Sequence, residues 1–128
     1  MSELRRTVDA PKAPEAVGPY SHAVESGGLL FCSGQLPLDP ESGELTGDTP
    51  AAQARRCLEN LQAVCEAADT SLERAVRLTI YTTELGEFAS INDAYAEFFD
   101  AEPPARAAVG VAALPKGALV EIDAIVAL

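Results

Sequence analysis

The stretch that most constrains this chain is its closing segment, GALVEIDAIVAL, from Gly117 to Leu128. As a β-strand it sends alternate side chains to opposite faces of a sheet. Val120, Ile122, Ala124 and Val126 share one face, while Leu119, Glu121, Asp123 and Ile125 share the other. Aliphatic residues on both faces describe a strand covered from both sides, so one layer of helices is not enough. Glu121 and Asp123 are costly in such a strand unless something pairs with them or needs them.

The remaining elements follow from periodicity. A short strand is expected near Leu4 to Val8, then APKAPEAVGPY is a proline-rich loop. Strands are expected over Tyr20 to Glu25 and Leu29 to Ser33, joined by the Ser26-Gly27-Gly28 turn. QLPLDPESGELTGD reads as loop with a small hairpin. Thr49-Pro50 opens a helix with a hydroxyl cap and a proline in the first helical position. Its apolar stripe is Ala54, Leu58, Leu61, Cys65 and Ala68, with Glu59, Gln62 and Glu66 facing away. AVRLTIYT, Ala75 to Thr82, alternates as a half-buried strand. A second helix is expected from about Glu87 to Phe99, stopped by Pro103-Pro104. Strands over Arg106 to Val111 and Leu119 to Val126 close the chain.

The order β, β, β, α, β, α, β, β predicts one α+β domain over residues 1–128, a two-layer fold with two helices on one face of a mixed sheet. No chain remains to cover the other face. A second copy is the natural cover, so a homo-oligomer is expected.

Charge narrows the partners. Nine basic and twenty acidic residues give a net charge of −11, which repels the phosphate backbone and disfavours nucleic acid. No apolar run has membrane-spanning length, and MSELRRTVDA has no hydrophobic segment after its arginines. A soluble cytoplasmic protein is expected. The cysteines are Cys32, Cys57 and Cys65 and the one histidine is His22, which leaves no cluster with metal-ligand spacing. Cys57 and Cys65, eight helical residues apart, are roughly 12 Å from each other and cannot form a disulfide. Both fit as small buried apolar groups.

Candidate chemistry lies in a few residues. Arg106 opens a strand of small residues, Ala107, Ala108 and Gly110, and its guanidinium suits a carboxylate. The alternative is a structural salt bridge to Glu121 or Asp123, and spacing alone favours it. Glu121, between Val120 and Ile122, is a partly desolvated acid suited to hold or activate water, or else a paired buried acid. Ser33-Gly34 ends a strand in a turn, with Ser33 cast as a hydrogen-bond donor rather than a nucleophile. Tyr20, after Gly18-Pro19, can offer its phenol to a cleft, although a surface or half-buried tyrosine is the commoner outcome. His22 reads as an ordinary strand histidine, and Asn92 as an amide one residue off the apolar stripe.

PARAAVGVAALPKGALVEI, Pro104 to Ile122, resembles the signature of the RidA family of reactive-intermediate deaminases, also called L-PSP endoribonucleases. AVGPYSHAV, FCSGQLPLDPESGEL, AAQARRCLENLQAV and FASINDAYAEFF extend the likeness over nearly the whole chain, in order. The resemblance implies a chorismate-mutase-like fold in a homotrimer with ligand clefts between subunits. It implies hydrolysis of 2-imino acids such as 2-iminopropanoate and 2-iminobutanoate to 2-keto acids and ammonia, with no metal or organic cofactor. On this likeness Arg106 clamps the substrate carboxylate and Glu121 holds the attacking water. Tyr20, Ser33, Gly34, Asn92 and Ala108 fall on cleft positions.

Two departures stand out. Ala108 replaces a cysteine of the archetypal deaminases, and Gly110 replaces an acid often found there. Smaller side chains at both positions widen the cleft. The competing readings are RNA cleavage, from the family's older name, and non-catalytic binding of a small carboxylate or a client protein.

Overall fold

In a computed structural model the described residues are 4–128. The chain runs β1 (Arg6–Val8), β2 (Ala23–Ser26), β3 (Leu29–Gln35), α1 (Pro50–Ala67), β4 (Ala75–Thr82), α2 (Phe88–Ala96), β5 (Ala105–Gly110) and β6 (Val120–Ala127). This is the predicted order, with short 3₁₀ turns at Leu72–Arg74, Leu85–Glu87 and Pro115–Gly117. The strands form one sheet in the order β1-β2-β3-β6-β4-β5. Neighbours are antiparallel except β4 and β5, which are parallel and joined through α2.

Thr49 and Pro50 start α1 as their chemistry requires. Thr49 is extended, and its hydroxyl oxygen accepts the Ala52 amide at 3.2 Å. The helix closes on Asp69, which takes a left-handed φ of +60°. The Asp69 and Thr70 amides then reach back to the Glu66 and Cys65 carbonyls at 3.1 and 3.0 Å, the Schellman arrangement. Leu58, Leu61, Val64 and Cys65 on its inner stripe are wholly buried against Leu30, Ile80, Val120, Ile122 and Val126 of the sheet. Truncating one of these leucines to alanine costs roughly 2–5 kcal/mol.

Several boundaries differ from expectation. The second helix stops at Ala96, because the Glu97 and Phe98 amides turn onto the Ala94 and Tyr95 carbonyls in a tightened last turn. Phe98 and Phe99 still pack against the core from the following turn. β2 starts at Ala23 rather than Tyr20, since Tyr20 folds back to the Gly18 carbonyl at 2.9 Å. The loop after β3 closes as a small hairpin through the Leu38–Leu45 bridge.

Both α-helices cover one sheet face. The other carries Phe31 and Val109, at 43% and 40% exposure, with half-buried Ile125 between polar residues. Within one chain that face is uncovered. No helix among the described residues is long and apolar enough to cross a membrane.

Candidate functional site

The site begins with a mismatch in the β3–β6 ladder. Cys32 pairs with Ala124 and Gln35 with Ile122, so Ser33 and Gly34 together oppose Asp123. One extra residue bulges β3 at that point, and the bulge brings the Gly34 backbone under the Glu121 side chain. A methyl group built on Gly34 would lie 3.1 Å from the Glu121 carboxyl carbon and overlap Oε2. Glycine here lets the carboxylate lie this close to the backbone; no unusual φ is involved.

Glu121 projects from the helix-free face into a cavity of about 520 Å³. Tyr20, Ser33 and Gly34 line the same cavity. Its other walls include Pro14, Val17, Leu36 and Leu38, with Lys116 at the rim. The surroundings are largely apolar, and burial pushes the half-buried Glu121 carboxyl above its ordinary range, with the Asp123 charge adding to the rise. Such a carboxylate is a stronger base than an exposed one.

The Ser33 hydroxyl is a hydrogen-bond donor, to the Ser21 carbonyl at 2.6 Å, which leaves the lone pairs of its oxygen as acceptors. Tyr20 is 48% exposed at the cavity mouth, its ring 3.6 Å from where a side chain on Gly18 would sit.

His22 is not a strand residue. It lies before β2 and is buried, with Nδ1 accepting the Ala10 amide at 3.0 Å and Nε2 donating to the Pro14 carbonyl at 2.8 Å. This pins the proline-rich loop that walls the cavity, while the His22 carbonyl accepts the Ser33 amide at 3.0 Å. The sequence held no signal for this role beyond a histidine close to a proline-rich loop. Lys116 was also missed. It sits at φ +60° between Pro115 and Gly117, and its ammonium reaches the Gly43 carbonyl at 3.2 Å.

Arg106, Asn92 and Ala108 lie elsewhere. Arg106 is in register with Leu78, which pairs with Ala124, and both of those face the helices. Arg106 therefore leaves edge strand β5 on the helix side, and Ala108 follows it on the same side. Glu121 leaves β6 on the opposite side, two strands away, roughly 10 Å across the sheet alone. The salt bridge favoured by spacing does not form: Arg106 Nη1 donates to Asn92 Oδ1 at 2.7 Å instead. Asp123 shares the Glu121 face and accepts the Tyr81 hydroxyl at 3.1 Å, a structural pairing.

All three cysteines are buried and free. Cys65 beside it, then burial, holds the Cys32 thiol far above the ordinary thiol range. Burial does the same for Cys57, which contacts the Val120 carbonyl at 3.6 Å. Neither Cys32 nor Cys57 is an activated nucleophile.

One chain thus holds two separate groups of candidate residues: a basic carboxylate with polar neighbours in a cavity, and a guanidinium on the other face of the sheet edge. The model of the family described as endoribonuclease L-PSP matches residues 10–128. A RutC family protein of Sinorhizobium fredii is 53% identical over 116 residues, covering 91% of this chain and 92% of its own. The 2-iminobutanoate/2-iminopropanoate deaminase of Bos taurus is 41% identical over 124 residues, covering 97% and 90%. The crystal structure of Escherichia coli TdcF with bound serine superposes with a TM-score of 0.90 at 40% identity, over 96% of this chain and 98% of that one.

Proposed function

The chain belongs to the endoribonuclease L-PSP, or RidA, family, and from that premise we propose that it hydrolyses 2-imino acids to 2-keto acids and ammonia. The observation that carries the reading is the Glu121 carboxylate, made basic by burial and seated over Gly34 in a cavity with Tyr20 and Ser33. The deaminase name of the bovine relative and the serine in the TdcF structure agree with a small amino-acid-like ligand.

The active assembly is a homotrimer in which the helix-free faces bury one another and each cleft joins two subunits. One subunit supplies Tyr20, Ser33, Gly34 and Glu121; its neighbour supplies Arg106, with Asn92 and Ala108 beside it. Phe31, Ile125 and Val109 on the uncovered face support this arrangement, as does the separation of Arg106 from Glu121 within one chain.

The chemistry then asks little of the protein. Arg106 holds the substrate carboxylate with its planar fork. The protonated imine carries a positive charge, which the Glu121 carboxylate and the Ser33 oxygen, an acceptor, stabilise. Glu121 accepts a proton from a bound water as its oxygen attacks the imine carbon. Glu121 returns that proton to the nitrogen of the resulting carbinolamine; the carboxylate then takes the hydroxyl proton as the C=O bond forms and the C–N bond breaks, releasing ammonia and the keto acid. Fixing an already electrophilic carbon against an aimed water accounts for most of the acceleration.

No specific feature favours the ribonuclease reading. The one histidine has both ring nitrogens engaged in the core, and the net charge of −11 repels RNA. The deciding assay supplies the imine from a pyridoxal-phosphate dehydratase and follows keto-acid release. Acceleration by the native protein, lost in Arg106→Ala and Glu121→Ala, supports the reading. Full activity in an Arg106→Ala protein that folds and assembles overturns it.

A further inference from the structure

Arg106 is held by a particular pattern on α2. Phe88, Asn92 and Tyr95 follow one another at four- and three-residue steps, which places them on one face of the helix over two turns. All three meet the same guanidinium. Its carbon lies 5.2 Å from the Phe88 ring centroid and 4.8 Å from that of Tyr95, and Nη1 donates to Asn92 Oδ1 at 2.7 Å. Tyr95 is itself fixed from behind by Phe99, with ring centroids 4.8 Å apart.

We infer that Phe88, Asn92 and Tyr95 form a neutral cradle that positions Arg106 for an incoming carboxylate. The inference rests on the reading of Arg106 as the carboxylate binder. Neutrality is the important property. Among the described residues no carboxylate pairs with Arg106, although the chain carries twenty acids. Two ring faces and an amide oxygen restrain the side chain without cancelling its charge. An acid in the place of Asn92 would hold the guanidinium as well, and would compete with the substrate.

The geometry also assigns the free edge. With Nη1 turned to Asn92, the Nε and Nη2 hydrogens form the pair left for a bidentate carboxylate. Arginine cannot accept a hydrogen bond, so the Asn92 oxygen must face it and the amide NH₂ is directed away, available as a further donor. The Tyr95 hydroxyl plays no part. It is buried without a hydrogen-bond partner, so the ring is the functional portion of that side chain.

This separation of ring from hydroxyl provides the test. Imine hydrolysis is measured as KM and kcat for Phe88→Leu, Tyr95→Leu, Tyr95→Phe and Arg106→Ala in the assembled protein. Loss of one ring should raise KM roughly five- to thirty-fold while kcat changes far less. Tyr95→Phe, which keeps the ring, should match the native KM. If Tyr95→Leu fails to fold, the half-buried Phe88 carries the test alone. An unchanged KM in Phe88→Leu overturns the inference, as does a Tyr95→Phe variant with a KM raised five-fold or more. Where Arg106→Ala abolishes activity but Phe88→Leu keeps the native KM, the cradle is refuted and the function stands. Full activity in Arg106→Ala refutes both.

Discussion

Glu121 and Arg106 leave one sheet from opposite faces, on strands separated by β4. Within one chain the width of two strand spacings, roughly 10 Å, and the sheet itself lie between them. A cleft using both must draw them from different chains.

Complementation tests that arrangement. Arg106→Ala and Glu121→Ala are each expected to be inactive. Denatured together in equal amounts and refolded, they should form mixed assemblies in which about a quarter of the clefts pair an intact Glu121 with an intact Arg106. Activity near a quarter of native is the expected reading. No recovery, with mixed assembly verified by mass, would sink the shared cleft.

Gly34→Ala should separate activity from stability. The backbone at Gly34 needs no positive φ, and the group that must move is the end of a flexible side chain. Folding stability should change by less than about 1 kcal/mol. Displacing the Glu121 carboxylate by an ångström should lower kcat/KM by roughly 10²-fold. Paired thermal-melt and rate measurements decide it.

Glu121→Gln should stabilise the protein at neutral pH while lowering its activity. Burial raises the folded carboxyl above its ordinary range, so the folded state holds that proton more tightly than the unfolded chain. Stability is then lost as pH rises from the unfolded value, about 4.3, through the raised folded one. Glutamine stays neutral and escapes this loss. The difference in melting temperature between variant and native should vanish below pH 4 and grow above it; a constant difference would contradict the assignment.

His22→Leu should loosen the cavity wall. It leaves the Ala10 amide and the Pro14 carbonyl without their present partners. Two lost hydrogen bonds with buried groups exposed should cost roughly 2–4 kcal/mol. Hydrogen exchange should quicken around residues 10–14 before the rest of the core responds. Uniform loss of protection would mean that the histidine serves the whole fold instead.

What the sequence disclosed depended on range. Thr49-Pro50 and the alternation in AVRLTIYT encode local structure, and both elements begin where those residues place them. Among the residues lining the cavity, Glu121 stood out by its cost in an apolar strand and Ser33-Gly34 by their turn, while spacing alone favoured an ordinary surface or half-buried place for Tyr20. The Arg106–Glu121 salt bridge failed because pairing across two ladders decides it. Arg106 aligns with Leu78 and Glu121 with Tyr81, a difference of three residues that reverses the face. The bulge at Ser33-Gly34 arises from the fit of β3 to β6, a strand near the other end of the chain. His22 owes its role to a loop that spacing alone cannot dock.

The position of β6 also governs how the molecule comes into being. It lies between β3 and β4, and without it β1-β2-β3 and β4-β5 share no ladder. Yet β6 is made after all the other strands. Until it emerges from the ribosome the growing chain holds two unjoined ribbons with open edges, the kind of surface that recruits chaperones or aggregates. The same strand delivers Glu121, so the sheet is completed and the cavity gains its carboxylate in a single late event.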